Sequence, residues 1–458
     1  MGSISGINIS SILSALGSSS SGINVASAVA QAIAAESGPL VLWQQQQAVL
    51  QSQTGDINQI ESDISALQSA LNSLGDPGGA LLSMATSSSN SSIVTASAAA
   101  GTVPGNHVVV VNNLASTASW YSDQVASSST PLAGGSFTLQ VGSNAPIQVN
   151  IGGSVDTMDQ LAAYINGLGA GVTASVVNDS GGSRLAIVSA SSGTAGNFTI
   201  SNATGLNFTQ AVTGQDASLT VDGIPIDSAS NTVTGVVAGL TLNLLAAAPG
   251  TPVNVAVTPD SNQISQAITG FVNAYNTVIK DINQEFAVGA NGVQGPLSGD
   301  STVRMLQSML LGSGSYSTSG TAVSTLGALG ITMNDDGTLS VDNGTLNGAV
   351  QSNFSAVQNF FQGTSSNGFA AFLNNQLTTM TDPVNGAFTV DLRSISSENT
   401  DLQNQIDDFQ VYLQSEQTRL TNEYSQADAL LQQLPILEQQ INAELGNNTT
   451  NSTTSTGG

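Results

Sequence analysis

The chain has 458 residues, with 30 Asp or Glu, 5 Lys or Arg and one His, which gives a formal net charge of −25. Only 8% of the residues are charged, whereas about a quarter are charged in an average soluble protein. The few basic residues are scattered and form no basic patch, which argues against binding to nucleic acid or to anionic membranes. The chain has no Cys, which excludes disulfides and cysteine-ligated metal sites.

Length and composition favour an exported protein of several domains. At this length two or three domains are expected, and 40% apolar residues are enough to build their cores. No run of 18 or more apolar residues is present, so we expect no transmembrane helix. Residues 1–21 lack Lys and Arg, so a cleaved Sec signal is not expected. The Ser-rich, Cys-free composition still favours export, by a route that needs no such signal.

The N-terminal arm is predicted to be helical. A stretch over Asn24 to Ala35 ends before Gly38-Pro39, and a longer stretch stops at Asp76-Pro77-Gly78-Gly79. Upstream, Gly6-Ile7-Asn8-Ile9 is echoed by Gly22-Ile23-Asn24-Val25, which we interpret as a local duplication. In the longer stretch, apolar residues recur at steps of three and four, which indicates one buried face. That face consists of Leu50, Ile57, Ile60, Ile64, Leu67, Leu71 and Leu74.

The middle of the chain is predicted to be rich in β-structure. Strand 107–111 is nearly continuous in Val, which favours burial on both of its faces. A helical pattern at 156–168 lies between two strand pairs, giving a ββαββ unit whose second pair is joined by the turn 178–182. The predicted strands cover residues 93–98, 107–111, 136–141, 147–151, 172–177, 184–188, 218–221, 232–237, 240–244 and 253–257.

Helices return after this region. Two amphipathic helices are predicted over 260–286 and 300–312, and each begins at an Asp-Ser pair (Asp260-Ser261 and Asp300-Ser301) whose side chains can cap it.

The C-terminal segment has the clearest periodicity in the chain. Steps of three and four from Leu392 to Glu444 give sixteen seam positions, twelve of them apolar, which is the pattern of a long packed helix or coiled coil. Pro435 lacks a backbone donor, so a kink or break is expected near Leu434. The seam residues expected to carry docking are Ile57, Ile60, Ile64, Leu67 and Leu71 of the N-terminal arm and Leu402, Ile406, Phe409, Leu413 and Leu420.

Both arms are acidic. Residues 387–446 contain ten acids and two bases, and the N-terminal arm carries Glu36, Asp56, Glu61 and Asp63 without any base. Since the two arms repel each other, the packing of apolar seams must dominate their pairing. We hypothesise that the protein works in acidic surroundings, where protonated carboxylates relax this repulsion.

These elements predict an α+β fold in a discontinuous multidomain chain. Long terminal coiled-coil-type helices flank a mixed α/β leg domain and a β-rich head. The expected divisions are 1–76 (N-terminal helical arm), 77–123 and 251–385 (the two parts of the leg domain), 124–250 (β-rich head), 386–446 (C-terminal coiled-coil helix) and 447–458 (disordered tail).

No candidate active site is found. His107 begins a Val-rich strand without a Cys or second His to work with, so we expect a structural role. Residues 334–337 look like part of a calcium loop, but Thr332 and Asn343 would supply its first and last ligands and lack carboxylates. A hairpin turn is therefore predicted there. We expect no catalytic, cofactor-binding or metal-binding residues and no enzymatic activity.

A series of short motifs runs along nearly the whole chain. It consists of 22–27, 37–40, 114–116, 170–179 with Arg184-Leu185, 219–223, 230–233, 239–242, 274–276, 296–301, 329–332, 336–340 and 360–363, followed by the terminal heptads. In this order the motifs resemble those of the flagellar filament-capping family, also called flagellar hook-associated protein 2.

The resemblance implies a structural role without catalysis. Such a protein is exported by the flagellar type III apparatus without a cleaved signal and assembles as a homo-oligomeric ring, usually a pentamer, at the extracellular distal tip of the filament. There it promotes flagellin polymerisation and prevents loss of monomers. The terminal helices act as legs that contact flagellin, and the β-rich domains form the plate. Neither nucleic acid nor a membrane is implied as a partner.

Two other functions remain open at the level of sequence. One is an extracellular adhesin or surface-binding module that uses the β-rich head, residues 124–250. The other is a filament or junction subunit similar to flagellin.

Overall fold

A computed structural model of the chain describes residues 24–290, 292–363 and 367–450. The duplicated motif at Gly6–Ile9 and the last part of the predicted tail, residues 451–458, lie outside the described residues.

Nine α-helices occur within the described ranges. Two lie in the N-terminal arm, one lies in the middle of the chain, and six follow residue 260. Their bounds are α1 (Val25–Glu36), α2 (Gly38–Gly75), α3 (Met158–Gly167), α4 (Ser261–Phe286), α5 (Ser301–Ser313), α6 (Asn343–Ser352), α7 (Phe354–Gln362), α8 (Phe369–Thr381) and α9 (Ala387–Thr450).

Seventeen β-strands are found in the same part of the chain, and they form five sheets. Their bounds are β1 (Met84–Ser88), β2 (Val94–Ala98), β3 (Gly105–Asn113), β4 (Thr117–Ser122), β5 (Gly135–Val141), β6 (Ile147–Ile151), β7 (Val172–Asp179), β8 (Gly182–Ser192), β9 (Phe198–Ser201), β10 (Phe208–Val212), β11 (Ala217–Val221), β12 (Ile224–Ser228), β13 (Thr232–Thr234), β14 (Leu240–Leu244), β15 (Val253–Pro259), β16 (Ile331–Met333) and β17 (Leu339–Val341).

The largest apolar core is helical. It contains the inner face of α2, most of the apolar face of α4, and residues of α5 to α8 and of the first turn of α9. Phe271 of α4 and Phe369 of α8 meet edge to face, with ring centroids 5.5 Å apart. The buried Tyr275 hydroxyl donates to the carbonyl oxygen of Leu310 at 3.0 Å, which satisfies the one polar atom of that side chain.

The predicted caps of the two helices are confirmed. Asp260 Oδ1 accepts from the backbone N–H groups of Asn262 and Gln263 at 3.1 and 3.0 Å. Asp300 Oδ1 accepts from Thr302 and Val303 at 2.7 and 3.0 Å. Each carboxylate satisfies N–H groups that have no partner inside the helix, and this fixes where the helix begins.

The first of two β-cores is formed by two sheets. A five-stranded sheet in the order β1-β15-β3-β11-β12 shares it with a three-stranded sheet in the order β13-β14-β2. In register, Val255 of β15 pairs with His107 of β3, and Val109 pairs with both Val253 and Val221. The core is therefore closed by segments from both sides of an intervening region, residues 117–212.

That intervening region forms a second β-core. It contains a four-stranded sheet in the order β10-β4-β8-β7, a three-stranded sheet in the order β6-β5-β9, and helix α3. The predicted ββαββ order is present in β5, β6, α3, β7 and β8. Its two hairpins, however, lie in different sheets, which the alternation of residues along the chain does not indicate.

Two expectations for strands need correction. Burial of the Val-rich strand on both faces is wrong, because Val109 and Val111 are buried while Val108 is 40% exposed. Strands β1, β4, β9, β10 and β12 had not been predicted, and all of them except β4 lie at the edge of a sheet. Edge strands bury little, so Ser- and Thr-rich segments can form them without a marked apolar pattern.

The C-terminal helix also differs from expectation. Of the kink or break predicted near Leu434, a break is wrong, since α9 continues through Pro435. It runs to Thr450, four residues into the segment predicted to be disordered. Proline removes only one backbone donor, and the rest of the helix retains its hydrogen bonds. Among the described residues no single helix has the length and hydropathy of a membrane span, although α1 and the following segment up to Leu82, bent by 48°, reach that threshold together.

Candidate assembly surface

The two terminal arms pair along their lengths in opposite directions. Leu50 of α2 packs with Leu402 and Ile406 of α9. Farther out, α1 packs against Leu413 and Leu420 of α9. Lower residue numbers on one arm thus meet higher numbers on the other. The described outer arm is an antiparallel helix pair, and no other element packs on these two small apolar clusters.

A bend separates α1 from α2. Asn24 Oδ1 accepts from the N–H of Ser27 at 3.0 Å and caps the start of α1. The N–H of Ser37 donates to Ile33 at the end of α1, and Pro39 lies at the start of α2, where its missing donor has no cost. The predicted interruption at Gly38-Pro39 is therefore confirmed, and it lets α1 follow α9.

Aromatic rings close the seam at mid-arm. Trp43 meets Phe409 edge to face, with ring centroids 5.3 Å apart. Phe409 in turn stacks on Tyr412, with centroids 5.6 Å apart. Such ring pairs contribute about 1 kcal/mol beyond the area that they bury, so Phe409 is the central contact of this part of the seam.

Amides connect the arms at the surface where other proteins use ion pairs. Gln46 Nε2 donates to Glu398 Oε1 at 3.0 Å, and Gln47 Nε2 donates to Gln403 Oε1 at 2.7 Å. In α9 itself, Arg419 donates to both Glu416 and Glu423. This pairing lowers the pKa of Glu416, because Arg419 hydrogen-bonds to its charged form. Two polar seam positions are thus partly neutralised within one helix.

The seam residues predicted from the N-terminal arm lie in the helical core. Their relative exposure is at most 1%, and their neighbours in the core belong to the same chain. They hold α2 against α4 and α8. These residues are Ile57, Ile60, Ile64, Leu67 and Leu71.

The seam residues predicted from the C-terminal arm lie at the helix pair instead. Leu402, Ile406, Leu413 and Leu420 are buried there, and Phe409 is partly buried. The structure therefore separates the ten predicted residues into an inner group and an outer group, which have no core in common.

The sequence interpretation missed the apolar residues that remain exposed on the arm. Val411 is 67% exposed and Tyr412 is 49% exposed on α9, and Val41 and Leu42 are exposed on α2. On α9 these residues fall outside the three-and-four spacing, so periodicity could not identify them. An apolar residue at an outward position of an otherwise polar helix is the signal that could have found them.

Acidic groups of the N-terminal arm face α4. Asp56 of α2 lies with Asp281 and Glu285 at one open groove between the two helices. Burial, and then the neighbouring Asp63, raise the pKa of Asp281 to about 6. Burial also raises the pKa of Glu285, although its Oε2 accepts from the N–H of Leu297 at 2.8 Å.

His107 has a structural partner. Its Nδ1 lies 2.8 Å from Asp222 Oδ2, while Asp222 Oδ1 accepts from the N–H of Val108 at 2.8 Å. Asp222 has a positive φ of 53°, and these bonds hold the turn that it forms. The hydrogen bond from His107 lowers the pKa of Asp222.

The turn at residues 334–337 joins β16 to β17 as predicted. Asp336 Oδ1 accepts from the N–H of Thr338 at 2.9 Å, so this carboxylate serves the turn itself. The described residues contain no group of three or more His, Cys, Asp or Glu arranged to hold a metal ion.

Comparisons with known proteins point to one family. The family profile described as flagellar hook-associated protein 2 C-terminus matches residues 214–435, and its N-terminal counterpart matches residues 21–118. A profile described as flagellin hook IN motif matches residues 136–191.

Related proteins carry the same description. The B-type flagellar hook-associated protein 2 of Pseudomonas aeruginosa is 27% identical over 346 residues, which cover 68% of this chain and 72% of that protein. The flagellar hook-associated protein 2 of Salmonella typhimurium is 28% identical over 247 residues, which cover 49% of this chain and 52% of that protein. The crystal structure of the D1-D2-D3 domains of the flagellar cap protein FliD from Escherichia coli is 25% identical, with a TM-score of 0.59, and covers 74% of this chain and 99% of that one.

The fold is thus that of a multidomain α+β structural protein built on a terminal helix pair, with no role as an enzyme. The chain belongs to the flagellar hook-associated protein 2 family. The resemblance noted in the sequence is confirmed.

Proposed function

We propose that this protein is the subunit of the filament cap at the distal, extracellular tip of the bacterial flagellum. It assembles with copies of itself, promotes the polymerisation of flagellin and prevents flagellin monomers from leaking away. The family membership supports this function, and the terminal arms are the part of the structure to which we assign it. The adhesin and the flagellin-like filament subunit are not favoured by the comparisons.

The observation that carries the proposal is the outer helix pair. It is thin, held by two small apolar clusters, and still presents apolar side chains such as Val411 and Tyr412 to the outside. An exposed apolar surface on an otherwise polar arm is typical of a surface that binds protein. We therefore assign contacts with flagellin to the outside of this pair.

The ten predicted seam residues have an indirect role in this proposal. The inner group, represented by Ile57 and Leu67, fixes α2 to the body of the subunit. The outer group, represented by Phe409 and Leu413, holds the pair that presents the docking surface.

The test replaces the central aromatic residue of the seam. Phe409→Asp places a carboxylate against Trp43, which separates the arms and should abolish capping. Gln405→Asp, one turn earlier on the exposed side of α9, adds the same charge and should leave capping intact. Electron microscopy of filaments in a strain that carries each variant, with tip labelling, measures this. Normal capped filaments with Phe409→Asp would contradict the proposal.

We propose that five copies form the cap and that the flagellar type III apparatus exports the chain. Both follow from the family resemblance of the sequence. Native mass spectrometry of the assembled cap would measure the copy number, and a ring of another size would overturn the first part. Secretion of this chain by a strain that lacks the flagellar type III apparatus would overturn the second part.

We also propose a revised division of the body. Residues 217–257 share their apolar core with residues 84–115, whereas residues 117–212 form a core of their own. Under this division the head ends near residue 212, and the last part of the expected head (124–250) belongs to the neighbouring β-domain. A fragment of residues 116–213 that folds cooperatively on its own would support this boundary, and an unfolded fragment would contradict it.

A further inference from the structure

The two β-cores belong to two β-domains that are joined by polar contacts. The first β-domain covers residues 84–115 and 217–257, and the second covers residues 117–212. Ser116 and Gln215, one in each connection between the domains, form an antiparallel bridge. The two apolar cores have no described residue in common. Relative motion is the usual behaviour of domains without a large apolar interface, so any fixed orientation must come from polar groups.

A loop of the second β-domain supplies a third attachment. Thr194 donates its backbone N–H to Asp216 Oδ1 at 2.6 Å, and its hydroxyl donates to the same carboxylate at 3.1 Å. The hydroxyl of Ser192 donates to the carbonyl oxygen of Ala229 at 2.6 Å. The loop therefore contacts the first β-domain at two places, and Ala229 lies outside both connections.

Glycine at the centre of this loop makes the close fit possible. Gly193 is buried and has a φ of +88°. A Cβ at this position would lie 2.6 Å from Asp216 Oδ1 and 2.8 Å from the Cα of Ala229, which is closer than such atoms can approach. Because glycine has no side chain and adopts a positive φ without strain, the backbone of the loop can lie directly against both residues.

Amide side chains hold the two connections. Asn231 Oδ1 accepts from the N–H of Ala115 at 2.8 Å, and its Nδ2 donates to the carbonyl oxygen of Ala115 at 3.0 Å. Asn197 makes the same pair of bonds to Gly214, at 2.8 and 2.9 Å. The backbone groups next to the joint are thus satisfied by side chains, and each domain contributes one of these amides.

We propose that the contact of residues 192–194 with Asp216 and Ala229, which we call the latch, locks the second β-domain in one orientation relative to the first. The two connections run side by side and can still twist as a pair. The latch adds a fixed point outside their bridge. A carboxylate binds an N–H group more strongly than a neutral acceptor does, so Asp216 is the residue whose loss should matter most.

The inference goes beyond the capping function, because it concerns the geometry of one chain and does not require that the chain assembles. In an assembled cap, two locked β-domains would act as a single stiff plate.

Pulsed electron paramagnetic resonance on the full-length chain tests the latch. The chain has no Cys, so Thr173→Cys in the second β-domain and Asn254→Cys in the first, both at exposed positions, give two defined sites for spin labels. Dilution with unlabelled protein restricts the measurement to distances within one chain. We expect one narrow distance distribution with the latch intact, and a distribution at least about twofold wider with Asp216→Ala.

Two controls accompany this measurement. Asp227→Ala removes an exposed acid from the same β-domain as Asp216 and should leave the distribution narrow. A second label pair, Thr173→Cys with Gln148→Cys, lies wholly within the second β-domain. An unchanged distance between these two labels shows that Asp216→Ala leaves that domain folded.

Three outcomes would overturn the proposal. The first is a wide distribution with the latch intact, because the domains would then already move. The second is a distribution that stays narrow with Asp216→Ala, and the third is equal widening with Asp227→Ala. If Asp216→Ala unfolded the second β-domain, Ser192→Ala would replace it, since this variant removes the bond to Ala229 from the other side. A distribution that stayed narrow with Ser192→Ala would then contradict the latch.

Discussion

The inner and outer halves of the arm share one apolar period, but they differ in how much of the protein packs against them. The inner half of α2, from Ile57 to Leu74, lies in the large helical core, with α4 and α8 as neighbours. The outer half pairs only with α9, through clusters of three and five buried residues. Apolar spacing thus predicts that a face is covered, but not how much covers it. We call the inner half of the arm its root and the outer half its tip. A tightly packed root and a lightly packed tip fit the proposal that the arm binds other subunits.

The largest effect is expected at the root. Phe271 is wholly buried and packs on Phe369, so Phe271→Ala should reduce the free energy of unfolding by about 3–5 kcal/mol. Urea denaturation followed by circular dichroism measures this. Phe372→Ala removes the same ring from a site that is 38% exposed and should therefore cost clearly less. Equal losses would remove the contrast between a deep root and the surface.

A smaller and local effect is expected at the tip. Leu413 is 1% exposed but belongs to a cluster of only five buried residues. Leu413→Ala should therefore weaken the pairing of α1 with α9 by about 2 kcal/mol, without lowering the midpoint of unfolding of the body. Hydrogen exchange of residues 25–36 should become about thirtyfold faster. If the whole body were destabilised instead, the tip and the root would form one cooperative unit.

The smallest effect concerns the acids at the root. Asp281 has a pKa of about 6 in the folded protein against 3.8 for an ordinary Asp, so the folded state holds the proton more tightly. Its contribution to stability is present below about pH 4 and is lost as the pH rises to 6 and above. Asp281→Asn should thus raise stability at pH 7 by about 1 kcal/mol, allowing for solvent screening, and should have little effect at pH 4.

The control for this prediction is Asp401→Asn, which removes an exposed acid from α9. Thermal unfolding at pH 4 and pH 7 compares the two variants, and a gain that is the same at both pH values would contradict the assignment. The hypothesis of acidic surroundings is tested separately by cap assembly. Assembly that is no better near pH 4–5 than at pH 8 would count against it.

Local chemistry made much of the fold predictable. The caps at Asp260 and Asp300 are fixed by side chains two or three residues from the groups they satisfy. The period of α9 is likewise a property of neighbouring residues. Sequence patterns carry such information because partner and signal lie in the same segment.

The rest depends on partners that are distant in sequence. Asp63 faces Asp281, more than two hundred residues away, so acidic groups also oppose each other between α2 and α4. Likewise, the edge strand β1 is defined by its pairing with β15. No periodicity within either segment reports such a neighbour. For the assembly surface, the sequence identified the seam, but it did not identify which seam residues are enclosed within the subunit or which apolar residues, such as Val411, remain outside.

The pairing of Gln46 with Glu398 joins residues separated by 352 positions. Every domain of the body lies within the loop that this contact closes. The two helical arms therefore cannot pair until both segments have been synthesised and are free to meet, however early the β-cores fold. Closing so long a loop costs chain entropy. The folded body reduces this cost because it brings the two helical arms close together beforehand. The outer arm, to which we assign the contacts with flagellin, is thus the last part of the molecule to form.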